Sequence, residues 1–177
     1  KEEHIVVIGA GHAGGVAVQS FRNFGHEGRV TLIGEEPTLP YERPPLSKDL
    51  LHSPNESDFQ LIRDADYYKD LNIDVLLDNT AVSIDAETKL VLLDNGESIP
   101  YDKLLLTTGG RPQKLDLPGS ELDNILTLRT IEDSRAIESN LNKGARVLVI
   151  GGGFIGLEVA ASARMRGAAV IVFEANS

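Results

Sequence analysis

Two stretches of the chain repeat one succession of apolar and polar positions. The β-branched runs His4–Ile8 and Arg146–Ile150 each read as a buried parallel strand. Each enters a glycine-rich octapeptide. Val7-Ile8-Gly9-Ala10-Gly11-His12-Ala13-Gly14 recurs 142 positions later as Val149-Ile150-Gly151-Gly152-Gly153-Phe154-Ile155-Gly156. A helical pattern follows each, roughly Ala13–Phe24 and Ile155–Arg166, and stops near Gly25 or Gly167. A second apolar strand comes next, Val30–Ile33 or Ala169–Phe173, and is followed by an acid, Glu35 or Glu174. The chain therefore holds two βαβ openings of the dinucleotide-binding type.

Between the repeats the pattern shortens. Pro37 to Pro45 is a proline-rich loop, and Ser57 to Leu71 is expected to hold a short helix. Ile73–Leu77, Ala81–Asp85 and Lys89–Leu93 read as short strands, with Asp94-Asn95-Gly96 as a hairpin turn before Ser98–Pro100. Lys103–Thr108 is a further buried strand, stopped by Gly109-Gly110. Arg111–Gly119 reads as a linker, and a helix near Glu132–Leu141 leads into the second repeat. The fold expected is α/β: a Rossmann-like domain with a parallel sheet and a small antiparallel meander, then the start of a second Rossmann domain. The expected divisions are 1–112, a connection over 113–143, and 144–177. The sequence ends three residues after Glu174, so the second unit is expected to be incomplete.

Composition narrows the chemistry. A length of 177 residues with 41% apolar content suffices for one core or parts of two. A formal charge of −10 with no basic stretch argues against nucleic-acid binding. The absence of cysteine removes disulfides, thiolate metal sites and dithiol chemistry from this chain. No apolar run reaches the roughly 18–20 residues of a membrane span, and no signal-peptide core precedes the first strand, so a cytoplasmic protein is expected. The four histidines have no metal-site spacing, and no metal is expected.

The glycine loops carry the candidate activity. In G-x-G-x-x-G the first glycine makes the tight turn and the second admits a pyrophosphate to the backbone. The third lets helix and strand pack, and the acid after the next strand takes ribose hydroxyls. One such match alone is weak. Strand, loop, helix, strand and acid in order, twice, are specific. Two dinucleotide sites in tandem suggest a relay in which a nicotinamide gives hydride to a flavin. Periodicity leaves open which loop takes which cofactor.

Leu39-Pro40-Tyr41-Glu42-Arg43-Pro44-Pro45-Leu46-Ser47-Lys48 closely resembles a signature of the FAD-dependent pyridine nucleotide oxidoreductases, in the branch of ferredoxin, putidaredoxin and rubredoxin reductases. Apoptosis-inducing factors share that branch. Thr107-Thr108-Gly109-Gly110-Arg111-Pro112, Leu128-Arg129-Thr130 and the second loop through Leu157-Glu158 continue the resemblance in the same order along essentially the whole chain.

The resemblance implies FAD at the first loop and NAD(H) at the second. Gly9, Gly11, Ala13 and Gly14 would hold the FAD pyrophosphate, with Glu35 on the adenosine ribose and Glu36 beside it. Arg43 would lie against the adenosine part, Val82 would touch adenine through its backbone, and Arg129 would contact FAD. Thr108 and Gly109 belong to the second flavin motif. Lys48 would reach the flavin, where a cation stabilises charge arriving with hydride. Gly151, Gly153, Phe154, Ile155 and Gly156 would form the NAD(H) loop, Glu158 would point at the nicotinamide, and Glu174 at the NAD ribose. Without the motif, Lys48 reads as a solvated loop lysine, Arg43 as a surface ion-pair partner and Glu158 as an exposed helix acid.

The resemblance further implies an NADH-dependent reductase delivering electrons to a ferredoxin, rubredoxin or similar small carrier. Another acceptor on the same flavin core, or an apoptosis-inducing-factor-like signalling role, remain alternatives, and oligomeric state is open. Relatives that use a cysteine pair or a single cysteine are disfavoured, because their chemistry needs a thiolate. In the family a late flavin-domain strand and a C-terminal domain would follow residue 177.

Overall fold

A computed structural model describes residues 3–52 and 59–175. The chain separates into two compact units, Lys1–Glu42 with Leu61–Gly110, and Arg43–Gln60 with Arg111–Ser177.

The first unit is built on a parallel sheet. Its strands are β1 (Ile5–Ile8), β2 (Val30–Ile33), β3 (Ile73–Leu76) and β7 (Lys103–Leu106), in the order β3-β2-β1-β7. Val7 pairs with Leu32 on one side and with Leu105 on the other, so β1 is central. Successive residues of a strand face opposite sides of the sheet. Val7, Val30 and Leu32 join Val18 of helix α1 (His12–Asn23) and Tyr68 of α3 (Ala65–Asp70) in one core. Val6, Ile8 and Ile33 join Val91 and Leu93 in a second core. These last two belong to an antiparallel meander of β4 (Ala81–Asp85), β5 (Leu90–Leu93) and β6 (Ser98–Pro100). Both faces of the parallel sheet are covered, which is why its strands read as unbroken apolar runs.

The meander turns at Asp94–Gly96, where Gly96 has φ +88° and its N–H donates to the Leu93 carbonyl at 3.0 Å. Ile73–Leu76 looks in sequence like one of several short strands. In the structure it extends the parallel sheet, pairing Ile73 with Val30 and Val75 with Leu32. The helix expected within 57–71 is Ala65–Asp70; Ser57 and Asp58 lie outside the described residues.

In the second unit, β8 (Arg146–Ile150) and β9 (Ala169–Phe173) pair in parallel over five positions. Between them runs α5 (Phe154–Met165), and α4 (Ile131–Asn140) precedes them. Leu141, Ala163 and Ala168 form the core here, with Ile137, Val147 and Val170 against it. Leu148, Ile150, Ile171 and Phe173 are each more than half exposed. The proline-rich loop ends in a 3₁₀ turn, Pro44–Ser47, followed by the single helical turn α2 (Asp49–His52). Proline at the first positions presets φ for that turn.

The repeat in sequence is a repeat in geometry. Gly25 and Gly167 both take φ +86° after their helices. Arg22 Nη1 donates to the carbonyl of His26 at 2.7 Å, and Arg164 Nη1 to that of Ala168 at 2.8 Å.

Candidate functional site

The first loop leaves β1 at Gly9, whose φ of +108° favours glycine. A Cβ there would also lie 2.3 Å from the Thr107 carbonyl oxygen, so the turn is closed against β7. A Cβ on Gly14 would lie 2.0 Å from the Gly9 carbonyl oxygen, which lets α1 start directly over its own strand. Thr107 Oγ1 donates within reach of two carbonyls of the turn, Ile8 at 3.1 Å and Gly9 at 2.9 Å. Ala13 is exposed at the mouth of this turn. His12 Nδ1 lies 3.3 Å from Glu42 Oε2.

The second loop repeats this construction. Gly151 has φ +104°, and a Cβ on Gly156 would lie 2.3 Å from the Gly151 carbonyl oxygen. Gly153 has neither constraint: its φ is −70°, and a Cβ there would meet nothing within 4 Å. Phe154 and Ile155 are exposed in the first turn of α5. Glu174 reaches back from the end of β9, where its Oε2 accepts the Gly152 N–H at 2.6 Å.

Whether dinucleotides fit these loops is decided by how the helices start. An α-helix leaves its first N–H groups without intrahelical partners. In α3, Asp64 caps them by accepting the Tyr67 N–H, and α4 carries a full capping box of Thr130 and Asp133. By contrast α1 and α5 begin at Gly11 and Gly153, with no side-chain cap and no acid in the first turn. The two helices behind glycine loops thus keep their N-terminal donors and positive dipole ends for an anion, and a pyrophosphate suits them.

A third cluster lies in the second unit. Glu158, half-buried on α5, receives two neighbours in sequence on its two oxygens. Ser47 Oγ donates to Oε2 at 2.5 Å, and Lys48 Nζ lies 3.4 Å from Oε1. The Ser47 hydrogen bond, helped by the Lys48 charge and opposed by burial, holds the Glu158 carboxyl below the usual glutamate range. Arg43 and Arg129, both expected at FAD, meet here: Arg43 Nη1 donates to the Arg129 carbonyl. The Arg129 N–H donates to Asp133 Oδ2 at 2.8 Å, so the capping box of α4 fixes that backbone.

The remaining expected residues lie in the first unit. Glu35 is exposed just past β2, whereas Glu36 accepts the Tyr41 hydroxyl at 2.6 Å. Val82 sits at a break in register, where Ala81 pairs with Leu93 and Ser83 with Leu92. A bulge of this kind releases backbone groups from the ladder. Thr108 and Gly109 follow β7 on the exposed side, Gly109 at φ +69°.

Two residues were not singled out by sequence as site residues: Thr107, which ties the first turn, and Ser47, which holds Glu158. Both lie inside quoted motifs, and that was their only signal. Among the described residues, no group of three histidine or acidic side chains is arranged for a metal, and no helix is long and apolar enough to cross a membrane.

The sequence profile of the pyridine nucleotide-disulphide oxidoreductases matches residues 3–177. The chain belongs to this family. Having no cysteine, it contributes no thiol to the disulphide chemistry in the family's name. The ferredoxin–NAD(+) reductase subunit of the benzene 1,2-dioxygenase system of Pseudomonas putida is 40% identical over 173 residues, covering 98% of this chain and 42% of the relative. Rhodocoxin reductase of Rhodococcus erythropolis is 43% identical, covering 97% and 40%. The crystal structure of the ferredoxin reductase for the CYP199A2 system of Rhodopseudomonas palustris superposes with a TM-score of 0.91 at 40% identity, covering 96% of this chain and 42% of that one. The chain thus spans about two fifths of the length of the relatives it matches.

Proposed function

We propose that the chain carries the FAD site and the opening of the NAD(H) site of an NADH-dependent reductase that passes electrons to a ferredoxin, a rubredoxin or a similar small carrier. The observation that supports this most is the pair of uncapped glycine-loop helices, set beside two helices whose first turns are capped. Relatives named as ferredoxin or rhodocoxin reductases support the choice of acceptor class.

On this reading residues 1–112 are the first part of the FAD domain, 113–143 a connection, and 144–177 the start of the NAD(H) domain. Gly9, Gly11, Ala13 and Gly14 hold the FAD pyrophosphate, and Glu35 holds its ribose, with Glu36 adjacent. The Val82 backbone takes the adenine, Arg43 lies against the adenosine part, Arg129 contacts FAD from the connection, and Thr108 and Gly109 belong to the second flavin motif. Gly151, Gly153, Phe154, Ile155 and Gly156 take the NAD(H) pyrophosphate, and Glu174 takes its ribose. FAD, when bound, supplies an acceptor for a hydride and a donor of single electrons.

The chain's own residues supply position and charge. Lys48 places a fixed cation beside the acceptor, and Glu158 presents a carboxylate to the positively charged nicotinamide product. Neither is asked to form a covalent bond. A cytoplasmic location goes with the same reading.

The flavin content of the full-length protein tests it. Wild type is expected to purify yellow with one FAD released on denaturation, and Gly11→Val to purify folded and colourless, since a branched side chain keeps a pyrophosphate off the backbone. A Gly11→Val protein with full flavin content contradicts the placement.

A further inference from the structure

Two consecutive residues grip one carboxylate. Ser47 closes the 3₁₀ turn Pro44–Ser47 and is 5% exposed. Its hydroxyl has one proton to donate and two acceptors in range: Glu158 Oε2 at 2.5 Å and the Pro44 carbonyl at 3.4 Å. A hydrogen bond to an ionised acceptor at the shorter distance is the stronger, so the proton goes to Glu158.

The turn that presents this hydroxyl is itself fastened. Buried Ser134 of α4 donates to the Leu46 carbonyl at 2.7 Å, and buried Ser162 of α5 donates to the Ser47 carbonyl at 2.9 Å. Glu158 and Ser162 are four apart on α5 and share one face of the helix. Residue 47 is therefore held twice from that face, by its carbonyl to Ser162 and by its hydroxyl to Glu158. The carbonyl contact needs no side chain on residue 47. Removing the hydroxyl leaves the turn fastened and frees only the carboxylate.

We infer that Ser47 is the positioning residue for Glu158: its hydroxyl fixes one carboxylate oxygen and so keeps the other turned to the Lys48 ammonium. The inference rests on the proposed role of Glu158 at the nicotinamide. Without Ser47, Lys48 alone among the described residues holds the carboxylate, through a half-exposed pair at 3.4 Å. Exposed pairs of this kind orient weakly. Among the described residues, Lys48 is also the charged group that acts on Glu158. A carboxylate that loses its hydrogen bond protonates at higher pH, and a neutral Glu158 offers nothing to a nicotinamide cation.

The test follows the Glu158 carboxyl by 13C NMR in full-length protein carrying FAD, with the resonance assigned by its loss in Glu158→Gln. Ser47→Ala is expected to move the Glu158 titration midpoint upward, and Ser47→Thr, which restores a hydroxyl, to return it to the wild-type position. In stopped flow the acid limb of flavin reduction by NADH is expected to move upward with Ser47→Ala and to recover with Ser47→Thr. A Ser47→Ala midpoint that coincides with wild type overturns the inference. A midpoint that moves as expected, while Glu158→Gln is reduced by NADH at the wild-type rate, leaves Ser47 as the positioning residue and removes Glu158 from the nicotinamide.

Discussion

Gly156 packs so closely over Gly151 that a Cβ on Gly156 would lie 2.3 Å from the Gly151 carbonyl oxygen. Gly153, between them, has open space around the same construction and takes φ −70°, which any residue adopts. The requirement at Gly156 is thus internal to the fold, whereas nothing among the described residues requires glycine at Gly153. On the proposed function, the close approach of a pyrophosphate to the backbone supplies that requirement.

Two substitutions separate the roles. Gly156→Ala forces backbone against backbone and is expected to destabilise by about 1–3 kcal/mol. Gly153→Ala is expected to leave the unfolding midpoint unchanged while raising the KM for NADH by roughly tenfold, about 1.4 kcal/mol of lost binding. Thermal unfolding and steady-state kinetics of the full-length variants check both. Equal KM values in wild type and Gly153→Ala contradict the assignment of the loop.

Glu174 predicts the cofactor preference. Its carboxylate stands at the end of β9, already accepting the Gly152 N–H; on the proposed function it takes a ribose 2′-hydroxyl there and repels a 2′-phosphate. NADH is expected to surpass NADPH in kcat/KM by roughly tenfold or more, and Glu174→Ala to narrow the gap. Equal use of both cofactors by wild type contradicts this.

Most of the fold was legible because it rests on local signals. Val30–Ile33, Ala81–Asp85, Arg146–Ile150 and Ala169–Phe173 stand where periodicity puts them, since apolar runs bounded by glycine or polar turns have few alternatives. The affiliation of β3 was not legible, because four apolar-rich residues do not say which sheet they join. Nor were the contacts of Ser47 and Thr107. The Ser47 to Glu158 hydrogen bond joins residues 111 apart, and the Thr107 bonds to Ile8 and Gly9 join residues about a hundred apart. No spacing along the chain encodes them.

Lys48 is expected to tune the flavin without moving protons. It is half exposed, so solvent screens its charge and the effect is modest. Lys48→Met is expected to lower the flavin midpoint potential by an amount on the order of tens of millivolts. It should also slow reduction by NADH, with the oxidised spectrum unchanged. Spectroelectrochemical titration reads the potential; wild-type potential and rate together make Lys48 a structural loop residue.

His4 contributes a pH dependence of stability near neutrality. Burial first, then the Arg29 charge, holds its pKa below 6.5 in the folded chain, and its Nε2 lies 2.8 Å from Thr31 Oγ1. The unfolded chain therefore binds the proton more readily than the folded one. The full contribution is present above about pH 6.5 and is lost as pH falls through the folded value. Denaturant midpoints are expected to drop between pH 7 and 5, and His4→Gln to reduce that slope. A slope unaltered by the substitution contradicts the assignment.

The most direct measurement is anaerobic stopped-flow mixing of the full-length, FAD-loaded protein with NADH, followed by a second mix with an oxidised ferredoxin or rubredoxin. Loss of oxidised-flavin absorbance is expected in the first mix and its return in the second, as the carrier becomes reduced. Flavin that stays oxidised with NADH contradicts the two-site reading. Flavin that is reduced yet passes no electrons to any small iron–sulfur or rubredoxin-type carrier contradicts the proposed acceptor.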